Sequence, residues 1–224
     1  TTPFEKPYLA LTDRVFAAGE HPSRDAQLAY LKALLLERGG AQAAALDAYE
    51  KALEKDPSSL QIATDAAELA LELGQLERAE LMAADLHKKS PADSAALALL
   101  GRVKWARGEN EAAEKLLREA LKRDPKSGDT AFALAELVSQ DSPEKARELL
   151  KRFIAQNPET AAEAHLELGR LEMDENKIAA AKRHFLDSIA LSPDIESLPA
   201  RYALAQAYEN EQSTRAAILE YEKI

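Results

Sequence analysis

The chain has 224 residues, 46% hydrophobic but only 5% aromatic, with 30% charged residues, no cysteine and a net charge of −10. Lack of cysteine excludes disulfides and thiolate metal sites, and an acidic balance with no long basic tract argues against nucleic acid or an anionic membrane surface as ligand. No apolar run reaches the roughly 18 residues that a membrane-spanning helix needs, while abundant Ala, Leu, Glu and Lys beside 8 glycines predict a mostly helical chain.

Taken in chain order, residues 1–25 read as one leading helix with no clear partner, closed by Pro22. The opening stretch, TTPFEKP, does not begin with Met, which leads us to expect a segment upstream, such as a signal or a lipid-anchored stub. From there the chain repeats itself. EKALEKDPSS (residues 50–59) returns as REALKRDPKS (residues 118–127), 68 residues on, and the diverged AADLHKKSPA lies midway, at residues 83–92. The unit is therefore about half that spacing, which divides the chain into 26–59, 60–93, 94–127, 128–160 and 161–197, with 198–224 as an incomplete sixth unit. Because AAILEYEKI stops inside a helix with no polar cap after it, we expect the array to continue beyond Ile224.

Three ladders run through these units. Prolines recur at 22, 57, 91, 125, 158 and 193. Twelve residues before each of the last five stands Ala45, Ala79, Ala113, Ala146 or Ala181, and Ala217 extends the series. A second small-residue ladder comprises Ala33, Ala67, Gly101, Ala135, Gly169 and Ala205. Apolar positions at intervals of three and four make each half-unit an amphipathic helix. Small residues belong where two helix axes cross closely, and larger ones such as Tyr49, Leu117 and Phe185 wedge towards the next unit. Gly40, Gly74 and Gly108 are placed to close the first helix of a unit in the left-handed conformation. Each ladder proline disfavours helix in the residue before it and stops the second. Later units offer Asp141-Ser142, Asn176 and Gln212 where glycine would stand. The loop in QDSPEKA reads one residue short, with Ser142 as N-cap and Pro143 in the first turn, so a tighter turn is expected there.

The unit AALALLGRVKWARGENEAAEKLLREALKRDPKS, with Leu100-Gly101, Gly108, Ala113, Leu117, Ala120 and Pro125, resembles the tetratricopeptide repeat, and HLELGRLEMDENKIAAAKRHFLDSIALSPD repeats the pattern. The resemblance covers nearly the whole chain. It implies an all-α fold, a right-handed superhelical solenoid of antiparallel helix pairs, whose first helices line a concave groove that binds other proteins.

No convergent catalytic set is present: there is no phosphate-cradling glycine loop and no His pair at metal spacing on one helix. His21, His87, His165 and His184 fall in different units or loops and read as surface or helix-flanking residues, so no cofactor, metal or catalytic site is expected. The candidate site is instead the groove that the resemblance implies, with Tyr30, Leu34, Arg38, Glu68, Arg102, Trp105, Phe132, Leu166, Arg170, Met173 and Tyr202 facing a partner. Trp105, the only Trp, stands one turn from Arg102, and these two residue types are enriched at binding hot spots. The basic clamp by which some relatives grip the carboxylate end of chaperones has no cation here. Its places hold Tyr30, Leu34, Asp65, Ala95 and Leu99. The expectation is a non-catalytic adaptor or scaffold for a peptide or helical segment of another protein. More weakly, the chain resembles bacterial envelope lipoproteins of this family. That implies a periplasmic place, anchored at the outer membrane, and a processing protease as partner. Assembly of a pilus, secretion or exopolysaccharide machine is the alternative role, and the cytoplasm the alternative place.

Overall fold

The computed structural model describes residues 23–192 and 195–224. The expected leading helix lies almost entirely outside them, as do Pro22, His21 and Pro193. Twelve α-helices and no strand make up the described residues. They divide at Leu116–Leu117 into two compact units.

The first unit holds α1 (Arg24–Arg38), α2 (Gln42–Lys55), α3 (Leu60–Glu72), α4 (Leu76–Lys89) and α5 (Ser94–Ala106), and α6 runs Asn110–Arg123. The second unit holds α7 (Gly128–Ser139), α8 (Pro143–Gln156), α9 (Ala162–Asp174), α10 (Ile178–Leu191), α11 (Leu198–Asn210) and α12 (Thr214–Tyr221). Short 3-10 turns at Pro158–Thr160 and Ile195–Ser197 precede α9 and α11. Within each unit every helix packs on the next, and the first helices of successive hairpins also touch, α3 against α5, α7 against α9 and α9 against α11.

The repeated phrase D-P-x-S is a stop followed by a start. Asp56 adopts φ −142° and ψ 85°, the extended backbone that a following proline enforces, and α2 ends before it. Its carboxylate accepts from the Ser58 amide at 3.1 Å, and Asp124 accepts likewise from Lys126. Hydrogen bonding from Ser58 draws the Asp56 carboxyl below its usual range. Ser59 then caps α3 by accepting from the Ile62 amide, and Ser127 caps α7 by accepting from Thr130. Asp93 does the same for α5.

First helices close as expected where glycine is present. Gly40, Gly74 and Gly108 have φ of 78°, 68° and 78°. Each closure is a Schellman motif: in the first, Ala41 N donates to Leu36 O and Gly40 N to Glu37 O. Asn176 (φ 59°) and Gln212 (φ 60°) take the same conformation and the same pair of bonds, so the hairpin geometry overrides their weaker preference. The turn at Asp141-Ser142 differs from expectation in one respect. It keeps the three residues found in the other hairpins, and the missing residue comes out of α7, which has 12 residues where the other full first helices have 13 or more. Pro143 opens α8 as expected, but the Ser142 side chain makes no capping bond.

The alanine ladders form the helix crossings. Ala33, Ala45, Ala67, Ala79, Ala113, Ala146, Ala181 and Ala205 are wholly buried. Around them lie Tyr30, Tyr49, Leu46, Ile62 and Val103 in the first unit, and Leu134, Leu150, Leu168, Phe185 and Leu204 in the second. At Gly169 the Phe185 ring comes so close that an added Cβ would lie 2.3 Å from its Cε1. In the second unit Arg147 of α8 is also buried, with Nε 2.9 Å from Glu172 of α9, Nη2 2.5 Å from Glu175 and Nη1 paired to Glu144.

Candidate partner-binding face

The first helices carry the expected groove residues, and their surroundings sort them into two groups. Tyr30, on α1, is 1% exposed. Its hydroxyl donates to Asp65 of α3 at 2.5 Å, and Gln61 donates to the other Asp65 oxygen at 2.9 Å. Tyr49 leans on Tyr30 with centroids 5.7 Å apart and donates to Glu37 at 2.5 Å. Burial first, and then the carboxylate partner, push both phenols well above the usual tyrosine range. Tyr30 is thus a strut between two repeats, which corrects its reading as wall surface. Leu166, 8% exposed within the α9–α11 core, is corrected in the same way. Leu34 and Met173 are half-buried against their unit's core. Phe132 is half-buried, edge-on to Phe153 at 5.6 Å.

Solvent-facing chemistry remains at the others. In the first unit Arg102 of α5 reaches Glu68 of α3, Nη1 to Oε1 3.5 Å, with both side chains partly exposed. Trp105, one turn further along α5, is half-buried, and Arg38 is exposed in the last turn of α1. In the second unit Arg170 is exposed and pairs with Glu167 at 2.5 Å, and Tyr202 is 52% exposed, tilted against Tyr221 at 5.9 Å. Burial, with Glu167 beside it, raises the Glu163 carboxyl above its ordinary range; burial raises that of Glu167 despite Arg170. This part of the face is acidic. Glu167 was not among the expected groove residues, because its place on α9 depends on the helix's rotation.

Two further features escaped sequence reasoning. A cleft of about 660 Å³ opens between the end of α6, α7 and α8, floored by Leu121, Leu134 and Leu149 and rimmed by Lys122, Lys145 and Arg152. The signal for it was a run of cations on two successive second helices of an otherwise acidic chain. The histidines also require correction. His165 on α9 and His184 on α10 belong to one hairpin and meet, Nδ1 to Nδ1, at 3.1 Å. They do not share one helix, which is why a search for a His pair at helical spacing misses them.

Three models of the tetratricopeptide repeat match the chain, one over residues 94–137, one over 35–103 and one over 9–59 and 130–194. No curated protein matches it. Among solved structures, a tetratricopeptide repeat protein from Parabacteroides merdae is similar with a TM-score of 0.70 and 20% identity, over 98% of this chain and 83% of that one. A thermophilic repeat protein of Thermus thermophilus, TTC0263, gives 0.67 and 20% over 81% of this chain and 98% of its own. PilW, described as a type IV pilus biogenesis factor, gives 0.66 and 18% over 87% and 91%. At these identities the likeness is one of fold.

Proposed function

Because the chain belongs to the tetratricopeptide repeat family, we propose that it is a non-catalytic adaptor that captures a segment of a partner protein on its first-helix face. The observation that carries this reading is the Arg102–Glu68 pair beside Trp105. A partly exposed ion pair at 3.5 Å contributes little to folding, so a partner can break it at small cost and take the guanidinium for itself. Trp105 supplies a large amphipathic surface one turn away, and Trp and Arg are the usual anchors of interfaces. In the second unit the neighbouring carboxyls of Glu163 and Glu167, both held above the ordinary range, favour a segment carrying Lys or Arg, whose charge would stabilise their ionised forms. Chaperone-tail capture is disfavoured, since Asp65 stands where a cation would be needed and already accepts from Tyr30 and Gln61.

The test is affinity capture followed by binding of the identified segment as a synthetic peptide. A protein recovered in stoichiometric amount is expected, and Arg102→Ala with Trp105→Ala should weaken the peptide by more than about 2 kcal/mol. Unchanged affinity would move the site to another face, and recovery of a small molecule alone would end the adaptor reading. The finer reading adds an outer-membrane-anchored periplasmic setting and a processing protease as partner, and it rests on the sequence resemblance. No helix among the described residues is long and apolar enough to cross a membrane. Fractionation into the cytoplasm, or capture without any protease, would remove this finer reading and leave the adaptor standing.

A further inference from the structure

We propose that His165, His184 and Asp187 form a site for a divalent transition-metal ion, zinc foremost, on the α9–α10 hairpin. The three side chains place one ligand atom each within 4.8 Å of one another. His165 Nδ1 lies 3.1 Å from His184 Nδ1 and 3.7 Å from Asp187 Oδ2. Two Zn–N bonds of about 2.0–2.1 Å meeting at a tetrahedral angle hold their nitrogens about 3.3–3.4 Å apart. The imidazoles therefore already stand within a few tenths of an ångström of the spacing that a tetrahedral ion requires.

Their orientation supports this. The rings are tilted by 38° with centroids 5.4 Å apart, so they meet nitrogen to nitrogen and not face to face. Without a metal, the contact needs one ring to carry its proton on Nδ1 and the other on Nε2. The two nitrogens then share one proton, and the Asp187 carboxylate oxygen stands as a third ligand atom, 3.7 Å from His165 Nδ1. A metal ion satisfies all three once both rings carry their proton on Nε2, a tautomer change that releases no proton.

The backbone fixes the pair before any ion arrives. Gly169 lets the Phe185 ring lie directly on α9 and Ala181 is wholly buried, so the two helices cannot separate easily. Asp187 follows His184 by three residues on α10, and its exposed carboxylate can swing the short remaining distance. Imidazole with carboxylate suits zinc, nickel or copper better than magnesium or calcium. Three protein ligands leave a fourth position for water or for a donor from a docked protein.

The chain, made without a histidine tag and stripped with chelator, is titrated with Zn(II) by calorimetry and with Co(II) by visible absorption. One equivalent should bind, Co(II) should give the intense spectrum of a four-coordinate ion, and Zn(II) should raise the thermal midpoint. Asp187→Asn changes an exposed side chain. It should weaken binding at least about tenfold, as losing even an outer-shell partner does, and leave the metal-free midpoint unchanged. The His165→Gln, His184→Gln double variant should lose the site. Failure of the wild type to take up either ion overturns the proposal, as does equal binding by the double variant or a six-coordinate Co(II) spectrum. None of these outcomes bears on partner capture at Arg102 and Trp105, so the two readings fail separately.

Discussion

Gly169 sits in the middle of α9, where alanine ordinarily improves a helix by about 0.8–1.0 kcal/mol. Here the sign should reverse. An added Cβ would stand 2.3 Å, 2.5 Å and 2.9 Å from Cε1, Cδ1 and Cζ of Phe185, where carbon atoms prefer about 3.5–4.0 Å. The ring cannot yield cheaply, because it is wholly buried and packed among Ala181, Leu166 and Leu204. Overpacking of this kind costs about 1–3 kcal/mol, and three simultaneous overlaps place it at the upper end. Subtracting the propensity gain leaves Gly169→Ala destabilising by about 2 kcal/mol, a fall in thermal midpoint of about 4–8 °C for a chain of this size. Urea unfolding followed by circular dichroism measures it. Phe185→Leu, which shortens the side chain opposite, should couple to Gly169→Ala, so that the double variant loses less than the sum of the singles. A stabilising Gly169→Ala, or strictly additive effects, would refute the close crossing of α9 and α10.

Ala113→Leu should cost about 1–3 kcal/mol in the same unfolding assay, because Ala113 is wholly buried in its ladder; a neutral result would mean that the crossing is not where the ladder places it. Arg147→Met should cost about 3 kcal/mol by leaving Glu172 buried without its main partner, the figure being held at the low end of the usual range by Lys177, whose Nζ lies 3.7 Å away. Adding Glu172→Met should recover most of that loss, and a double variant no better than the single would show that the pair is not what holds α8 to α9. Tyr30 and Tyr49 bind their protons more tightly folded than unfolded, so the stability they contribute is complete below the ordinary tyrosine pKa of about 10 and falls as pH rises above it. Denaturant melts at pH 9 and 11 should show the loss in the wild type and a smaller one in Tyr30→Phe with Tyr49→Phe; equal losses would mean that the phenols are not titrating from a buried state.

Much of the fold is written locally. Pro57, Pro91 and Pro125 each stop a helix through the backbone of the preceding residue, and Ser59, Asp93 and Ser127 each start one with a side-chain oxygen. Gly40, Gly74 and Gly108 close the first helices because only glycine enters the left-handed region without strain. These signals act over two to five residues, so they can be read from the chain without knowing what packs on what. The exceptions show where local reading ends. Gln212 adopts the left-handed turn against its preference, and the residue missing near Asp141 is removed from α7 and not from the loop. In both places the packing of the hairpin sets the geometry and the local sequence follows.

The candidate face was legible only in outline. Periodicity and resemblance picked out one side of each first helix as the candidate face, and of the residues named there Arg102, Trp105, Arg170 and Tyr202 keep some exposed surface. Tyr30 does not, because Asp65, 35 residues away, accepts its hydroxyl. Whether a side chain near the edge of a face ends in solvent or in packing depends on helix rotation and axial offset smaller than one turn, and the repeat pattern does not specify these. The same holds for His165 with His184, 19 residues apart, and Arg147 with Glu172, 25 residues apart. Sequence determined that the chain would fold as stacked helix pairs, since turns and apolar spacing are local. Only the tertiary structure decided which polar groups meet, since those meetings depend on how two separately formed helices settle against each other.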